Sequence, residues 1–230
     1  MSFGIISEGP TDQIIIQNIL VGFFNDVDIT ASIKPLQPLR DATDEETERG
    51  KGGWTKVLEY CQSQNFLDAF EQNEFLIIQI DTDVCEEINF DVKRAHETGD
   101  LKSDEELIND IVKKINGLIV GKFGAEKVAL FSSRIIYAIC HNEIECWLLP
   151  IYFTDRTKEA TNNCIYKLNK AILEDFGFYL DKENKNNKGQ EYWRISKPYM
   201  KNKTLMAKYH ENISLYLFVQ NLIKVTNPDT

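Results

Sequence analysis

The run EFLIIQI at 74–80 constrains the fold of this chain more than any other stretch. It is apolar on nearly every residue, so it cannot be a strand with one wet face. A strand that reads this way is buried on both sides, as in a parallel sheet covered by helices. Two shorter runs share the property, FGIIS at 3–7 and RIIYAIC at 134–140. ITASIKPL at 29–36 reads as a further strand, stopped by Pro35 and Pro38. Helical spacing fills the intervals. QIIIQNILVGFF follows Thr11 and Asp12, which offer an N-cap, and WTKVLEYCQSQNFLDAF at 54–70 carries one apolar stripe. DEELINDIVKKINGLI at 104–119 is amphipathic with an acidic first turn, and HNEIECWLLP reads as a helix closed near Pro150. Strands alternating with helices predict an α/β fold, a mostly parallel sheet with helices on both faces, over roughly 1–150.

The remainder, 151–230, differs in kind. NNCIYKLNKAILEDF and NISLYLFVQNLIKV read as helices, separated by a stretch rich in lysine, asparagine and aromatic residues. Charge divides in the same way. The chain of 230 residues carries −10, yet Asp155 to Lys208 holds twelve Lys/Arg against seven Asp/Glu, a local +5 that leaves −15 elsewhere. The expectation is an acidic α/β body with a smaller, basic, helical C-terminal appendage. Tyr192, Trp193, Arg194, Lys197, Tyr199, Lys201 and Lys203 supply rings and cations suited to nucleic acid, or else an ordinary basic surface.

Five cysteines without a CxxC pair argue against a zinc site or a disulfide framework, and Cys140 and Cys164 read as small core residues. Three histidines supply little imidazole, so any metal should be a hard cation on oxygen ligands. No leader pattern and no apolar run long enough for a membrane span are apparent, so the expected setting is cytoplasmic.

In a parallel sheet, sites form beyond the carboxyl ends of the strands. Here those ends carry acids: Glu8 after the first strand, Asp81 and Asp83 after 74–80, and Glu143 or Glu145 after 134–140. Asp12, one turn into the first helix, can point back to the same edge or simply cap the helix. Glu145 is favoured over Glu143, and His141 shares a face with it as a hydrogen-bonding neighbour or a base. Two unit charges about 4 Å apart at an effective dielectric near 20 repel by roughly 4 kcal/mol. Such a gathering needs protons or a divalent cation to persist. Extended backbone at 81–83 would point both aspartates the same way, toward a shared Mg²⁺, with Mn²⁺ as substitute. Gly50-Lys51-Gly52-Gly53 could present amides and Lys51 to a phosphate, or serve as a linker, but lacks P-loop spacing.

The segments ISEGPTD and IIQIDTD resemble the two acidic motifs of the Toprim domain, shared by topoisomerases, bacterial primases and the overcoming-lysogenization-defect nucleases. Glu8-Gly9-x-x-Asp12 looks like the nuclease branch, with aspartate where glutamate is commoner. HNEIECWLL and GKGGWTKVL resemble segments of small stand-alone Toprim proteins. The resemblance spans about residues 3–150. It implies a Mg²⁺-dependent nuclease acting on DNA or RNA, in phage defence or nucleic-acid processing. Glu8, Asp81, Asp83 and Glu145 would be catalytic, with Glu8, Asp12, Asp81 and Asp83 holding metal. Lys51, Arg194, Lys197, Lys201 and Lys203 would meet the nucleic acid. The family's catalytic lysine has no single counterpart, Lys158, Lys167 and the lysines of 197–203 all being available. The alternatives are a catalytically weak binding subunit beside a separately encoded ATPase, and a small-molecule phosphotransferase or phosphatase. The chain lacks the gates of a topoisomerase and the accessory modules of a primase.

Overall fold

A computed structural model describes residues 1–39, 53–181 and 189–226. Among the described residues four strands form one sheet: β1 (Phe3–Ile6), β2 (Ile33–Gln37), β3 (Phe75–Asp81) and β4 (Ile135–Cys140), in the order β2-β1-β3-β4. All three pairings are parallel. Helix α1 (Pro10–Phe24) follows β1. Helices α2 (Trp54–Cys61) and α3 (Gln64–Gln72) precede β3. Helices α4 (Asp104–Phe123) and α5 (Ala125–Ala129) separate β3 from β4. After β4 come α6 (Leu149–Tyr152), α7 (Cys164–Phe176), α8 (Gly189–Ser196), α9 (Asn202–Lys208) and α10 (Ile213–Thr226).

The continuous apolar runs are explained by two cores, one on each face of the sheet. Phe3, Ile5, Phe75, Ile77, Ile136, Ala138 and Cys140 face α1 and the C-terminal helices. Ile6, Leu76, Ile78, Ile80, Ile135 and Ile139 face the layer of α2 to α5. Alternate residues point to opposite faces, and both faces are covered.

The core on the α1 side continues past residue 150, from Phe3 to Leu222. Trp147 stacks on Phe218 at 5.2 Å and donates its Nε1–H to Ser214 Oγ at 2.7 Å. Tyr199 donates its hydroxyl to the Trp147 carbonyl at 2.6 Å. Asn18 of α1 donates to Ser196 Oγ at 2.7 Å, and Asn202 donates to the Gly22 carbonyl at 2.8 Å. The last helices are therefore packed into the body rather than resting on it.

Local boundaries depart from the sequence pattern at four places. The stripe over 54–70 is broken between two helices, where Ser63 turns extended and its Oγ donates to the Tyr60 carbonyl. Pro35 lies inside β2 instead of ending it, which an outermost strand tolerates. Residues 29–32, expected as strand, belong to a 3-10 turn over Asp28–Ser32. Ile144–Leu148 is also a 3-10 turn, and Pro150 sits in the first turn of α6, where its missing N–H costs nothing. The start of α4 is a capping box between Ser103 and Glu106, and Gly124 at φ 84 ends that helix.

Helix α1 approaches the Lys197–Met200 turn so closely that a Cβ on Gly22 would lie 1.8 Å from the Tyr199 carbonyl oxygen. Backbone cannot yield that distance cheaply. Gly22→Ala should therefore lower stability by about 1–3 kcal/mol or more in urea unfolding. An unchanged midpoint would contradict this packing.

Candidate active site at the acidic sheet edge

Because every strand is parallel, the carboxyl ends of β1, β3 and β4 open on one edge. β1 and β3 are direct neighbours, with Ile6 opposite Ile78. Two residues further along β1's exit, Glu8 meets the end of β3. Its Oε1 accepts the Asp81 amide N–H at 2.7 Å. Its own amide donates to Gln79 Oε1 at 3.0 Å. Gln79 in turn donates through Nε2 to Asp81 Oδ1 at 2.8 Å and weakly to Cys140 Sγ at 3.8 Å. One fully buried amide thus fastens Glu8, Asp81 and β4 to each other. Sequence reasoning passed over Gln79, although a lone polar residue in an otherwise apolar strand was the available signal.

Asp12 joins the same neighbourhood. Helix α1 begins at Pro10 with Gly9 as its N-cap, so Asp12 sits inside the first turn instead of capping it. It is buried, and a negative charge there is favoured by the helix dipole. The electrostatics trace the cluster. Burial holds the Cys140 thiol well above its usual range, and Asp81, Asp12 and Glu8 push it further the same way. Burial likewise raises the Tyr192 phenol, followed by Glu145, with Asp12 and Glu143 adding to it. Asp12 acts on both groups.

Glu145 is wholly buried and accepts a hydrogen bond from Tyr192 Oη at 2.5 Å. With its phenol held protonated, Tyr192 is a permanent donor. Glu145 therefore stands behind the edge, tied to α8, with no surface of its own. Glu143 is occupied structurally, since its Oε1 accepts the amides of Cys164 and Ile165 at 2.9 and 3.0 Å and so holds the start of α7. His141 is paired instead with Asp104, Nδ1 to Oδ2 at 2.8 Å.

Asp83 does not follow the extended geometry expected of it. The chain turns into a 3-10 segment at Thr82–Val84, so Asp81 and Asp83 do not point the same way by strand alternation. Asp83 is exposed and lines a neighbouring cleft of about 520 Å³ with Asn142, Glu143, Asn163 and Tyr166. Its amide donates to the Asn142 carbonyl at 3.2 Å, and the Asn142 amide donates to Thr82 Oγ1 at 2.8 Å, which joins the exits of β3 and β4.

A cation that sequence reasoning also missed stands at this edge. Arg94, in the connection between β3 and α4, donates through Nη2 to the Thr82 carbonyl at 2.6 Å, between the two aspartates in sequence. No motif announces it, because the loop from 85 to 103 has no periodic pattern. The glycine-rich segment reaches the edge through Gly53, whose amide donates to the Glu8 carbonyl at 2.6 Å. Lys51 lies outside the described residues.

Arg194, Lys197, Lys201 and Lys203 are all exposed. Tyr192 and Tyr199, expected as stacking rings, are fully buried and serve the core, leaving Trp193 as the exposed ring of that stretch.

Glu8, Asp12 and Asp81 offer only oxygen atoms, the ligand type that hard divalent cations take. Among the described residues, the group of three with ligand atoms all within 4.8 Å is a different one, Glu143, Cys146 and Cys164. Its two sulfurs are joined to each other, Cα to Cα 5.0 Å, so they present no thiolates. This disulfide corrects the expectation of unpaired cysteines: Glu143 draws the start of α7 against the turn that carries Cys146. Cys61, Cys85 and Cys140 are buried thiols. No described helix is long and apolar enough to cross a membrane. Comparison with protein-family models, curated proteins and solved structures finds no match for this chain.

Tyr192→Phe removes the phenol donor from a buried carboxylate. A loss of about 1.5–3 kcal/mol is expected in denaturant unfolding. Wild-type stability in that variant would mean the Glu145 contact contributes nothing.

Proposed function

We propose that this chain is a divalent-metal-dependent nuclease that hydrolyses phosphodiester bonds in DNA or RNA. The observation that carries the proposal is the contact of Glu8 with Asp81 across two adjacent parallel strand ends, with Asp12 buried beside them. Acids from two distant stretches, 8–12 and 81, lie at the edge where parallel sheets bind ligands. Their mutual repulsion favours a doubly charged cation.

Glu8, Asp12 and Asp81 would hold Mg²⁺ or Mn²⁺, while Asp83 faces the neighbouring cleft. When bound, the ion activates a water and offsets charge on the phosphorus centre. Gln79 keeps Glu8 and Asp81 in register, so the carboxylates are set before substrate arrives. Arg94 takes the place of the lysine that the Toprim resemblance calls for. Its guanidinium is anchored by one N–H to the Thr82 carbonyl, and a planar fork suits a phosphate. Exposed cations on α8 and after it, Arg194, Lys197, Lys201 and Lys203, would hold the polymer, with Lys51 a further candidate. Phage defence, and action beside a separately encoded ATPase, extend this reading through the same resemblance.

A second reading, a catalytically silent binding subunit, draws on the absence of Glu8, Asp12 and Asp81 from the tight ligand group among the described residues. Calorimetric titration with Mn²⁺ separates the two, because a silent subunit should bind no ion at this edge.

Asp81→Ala should lower cleavage of single-stranded DNA, duplex DNA or RNA by on the order of 100-fold or more and weaken Mn²⁺ binding. Cleavage that persists in this variant places the chemistry elsewhere. Arg94→Ala should cost roughly 100-fold in turnover with Mn²⁺ affinity retained. Equal turnover would remove Arg94 from the reaction.

A further inference from the structure

Helix α8 is fixed from inside and dressed on the outside. On its buried side Tyr192 reaches Glu145, Ser196 Oγ accepts from Asn18 Nδ2, and the Ile195 carbonyl accepts from Tyr152 Oη at 2.7 Å. On its outer side Trp193 is 41% exposed, with Lys197 Nζ 4.7 Å from the centre of its ring. Arg194 lies over two further rings, 5.2 Å from Phe176 and 5.4 Å from Phe178. Lys201 and Lys203 continue the exposed cations. From Gly189 to Lys203 there are four cations and one acid, Glu191, in a chain whose net charge is −10. One helix thus joins a buried acid of the candidate site to an exposed ring flanked by positive charge. A helix with its side chains is only about 10 Å across.

We propose that the outer face of α8 is a binding platform for single-stranded nucleic acid, on which an unpaired base stacks against Trp193 while Arg194 and Lys197 meet the adjoining phosphates. The proposal rests on the nuclease reading and names its substrate class. Charge complementarity selects a polyanion over a protein partner. The exposed indole selects unpaired bases, because a duplex presents its phosphates outward and keeps the base faces inside the stack. Stacking on a ring accepts any base, so the platform confers preference for single strands without sequence specificity. Arg194 is pre-positioned: its guanidinium plane rests on Phe176 and Phe178, which limits the freedom lost when it takes a phosphate. Rigid support from Tyr192 and Ser196 holds the ring at a fixed remove from Glu145.

The test measures binding apart from cleavage. Fluorescence anisotropy with labelled oligothymidylate, oligouridylate and a matched duplex is recorded in EDTA and again in Ca²⁺. Both single strands should bind more tightly than the duplex. Trp193→Ala should weaken single-strand binding by about tenfold and leave duplex binding nearly unchanged. Trp193→Phe should restore most of it. Arg194→Ala with Lys197→Ala should weaken both and flatten the salt dependence. Equal affinity for the duplex, an unaffected Trp193→Ala, or no binding in either condition overturns the platform. If single strands bind through Trp193 yet are not cut in Mg²⁺ or Mn²⁺, the platform stands and the nuclease reading fails. If strands are cut while Trp193 is dispensable for binding them, the nuclease reading stands and the platform fails.

Discussion

The hydrogen bond from the Asp81 amide to Glu8 depends on β1 and β3 being adjacent and parallel. That adjacency comes from burial. Both strands carry apolar residues on both faces, and only a central position in a covered sheet satisfies them. The acids are thus delivered to one edge by hydrophobic patterning many residues away from them. The placement of acids at the strand ends is a by-product of packing in the strand bodies.

Keeping several carboxylates together at a partly dry edge requires compensating interactions. Some are visible: amides donate to Glu8, Asp81 and Glu143, a phenol donates to Glu145, and the dipole of α1 favours Asp12. Neutral donors of this kind orient a carboxylate. They divide the acids by role. Glu143 and Glu145 are spent on joining the C-terminal helices to the sheet, whereas Glu8 and Asp81 are bonded to each other across the strand ends. The short loop between β4 and α6 therefore serves as a tie between layers as much as a site segment.

Much of this was legible in the sequence. Continuous apolar runs predicted a mostly parallel sheet, whose pairings are in fact all parallel, and acids after the runs marked the edge. What escaped was set by contacts between distant residues. The turn at Thr82–Val84 redirects Asp83, and nothing in the spacing of an Asp-x-Asp announces that. Tyr192 and Tyr199 read as surface rings because their neighbours are polar, yet each fills a hole in a core completed from elsewhere. Gln79 belongs to no motif, and its role appears only when its side chain meets Glu8 and Asp81. The pairing of Cys146 with Cys164 depends on where α7 docks, which eighteen residues of separation do not reveal.

The two outer strands differ in how they meet their surroundings. β2 carries a proline, and β4 has α10 packed against it. Neither margin is a good template for a strand from a neighbouring molecule, since proline lacks a donor and a helix obstructs approach. Self-association by sheet extension is thereby discouraged, and any assembly of copies would have to be built from helical surfaces.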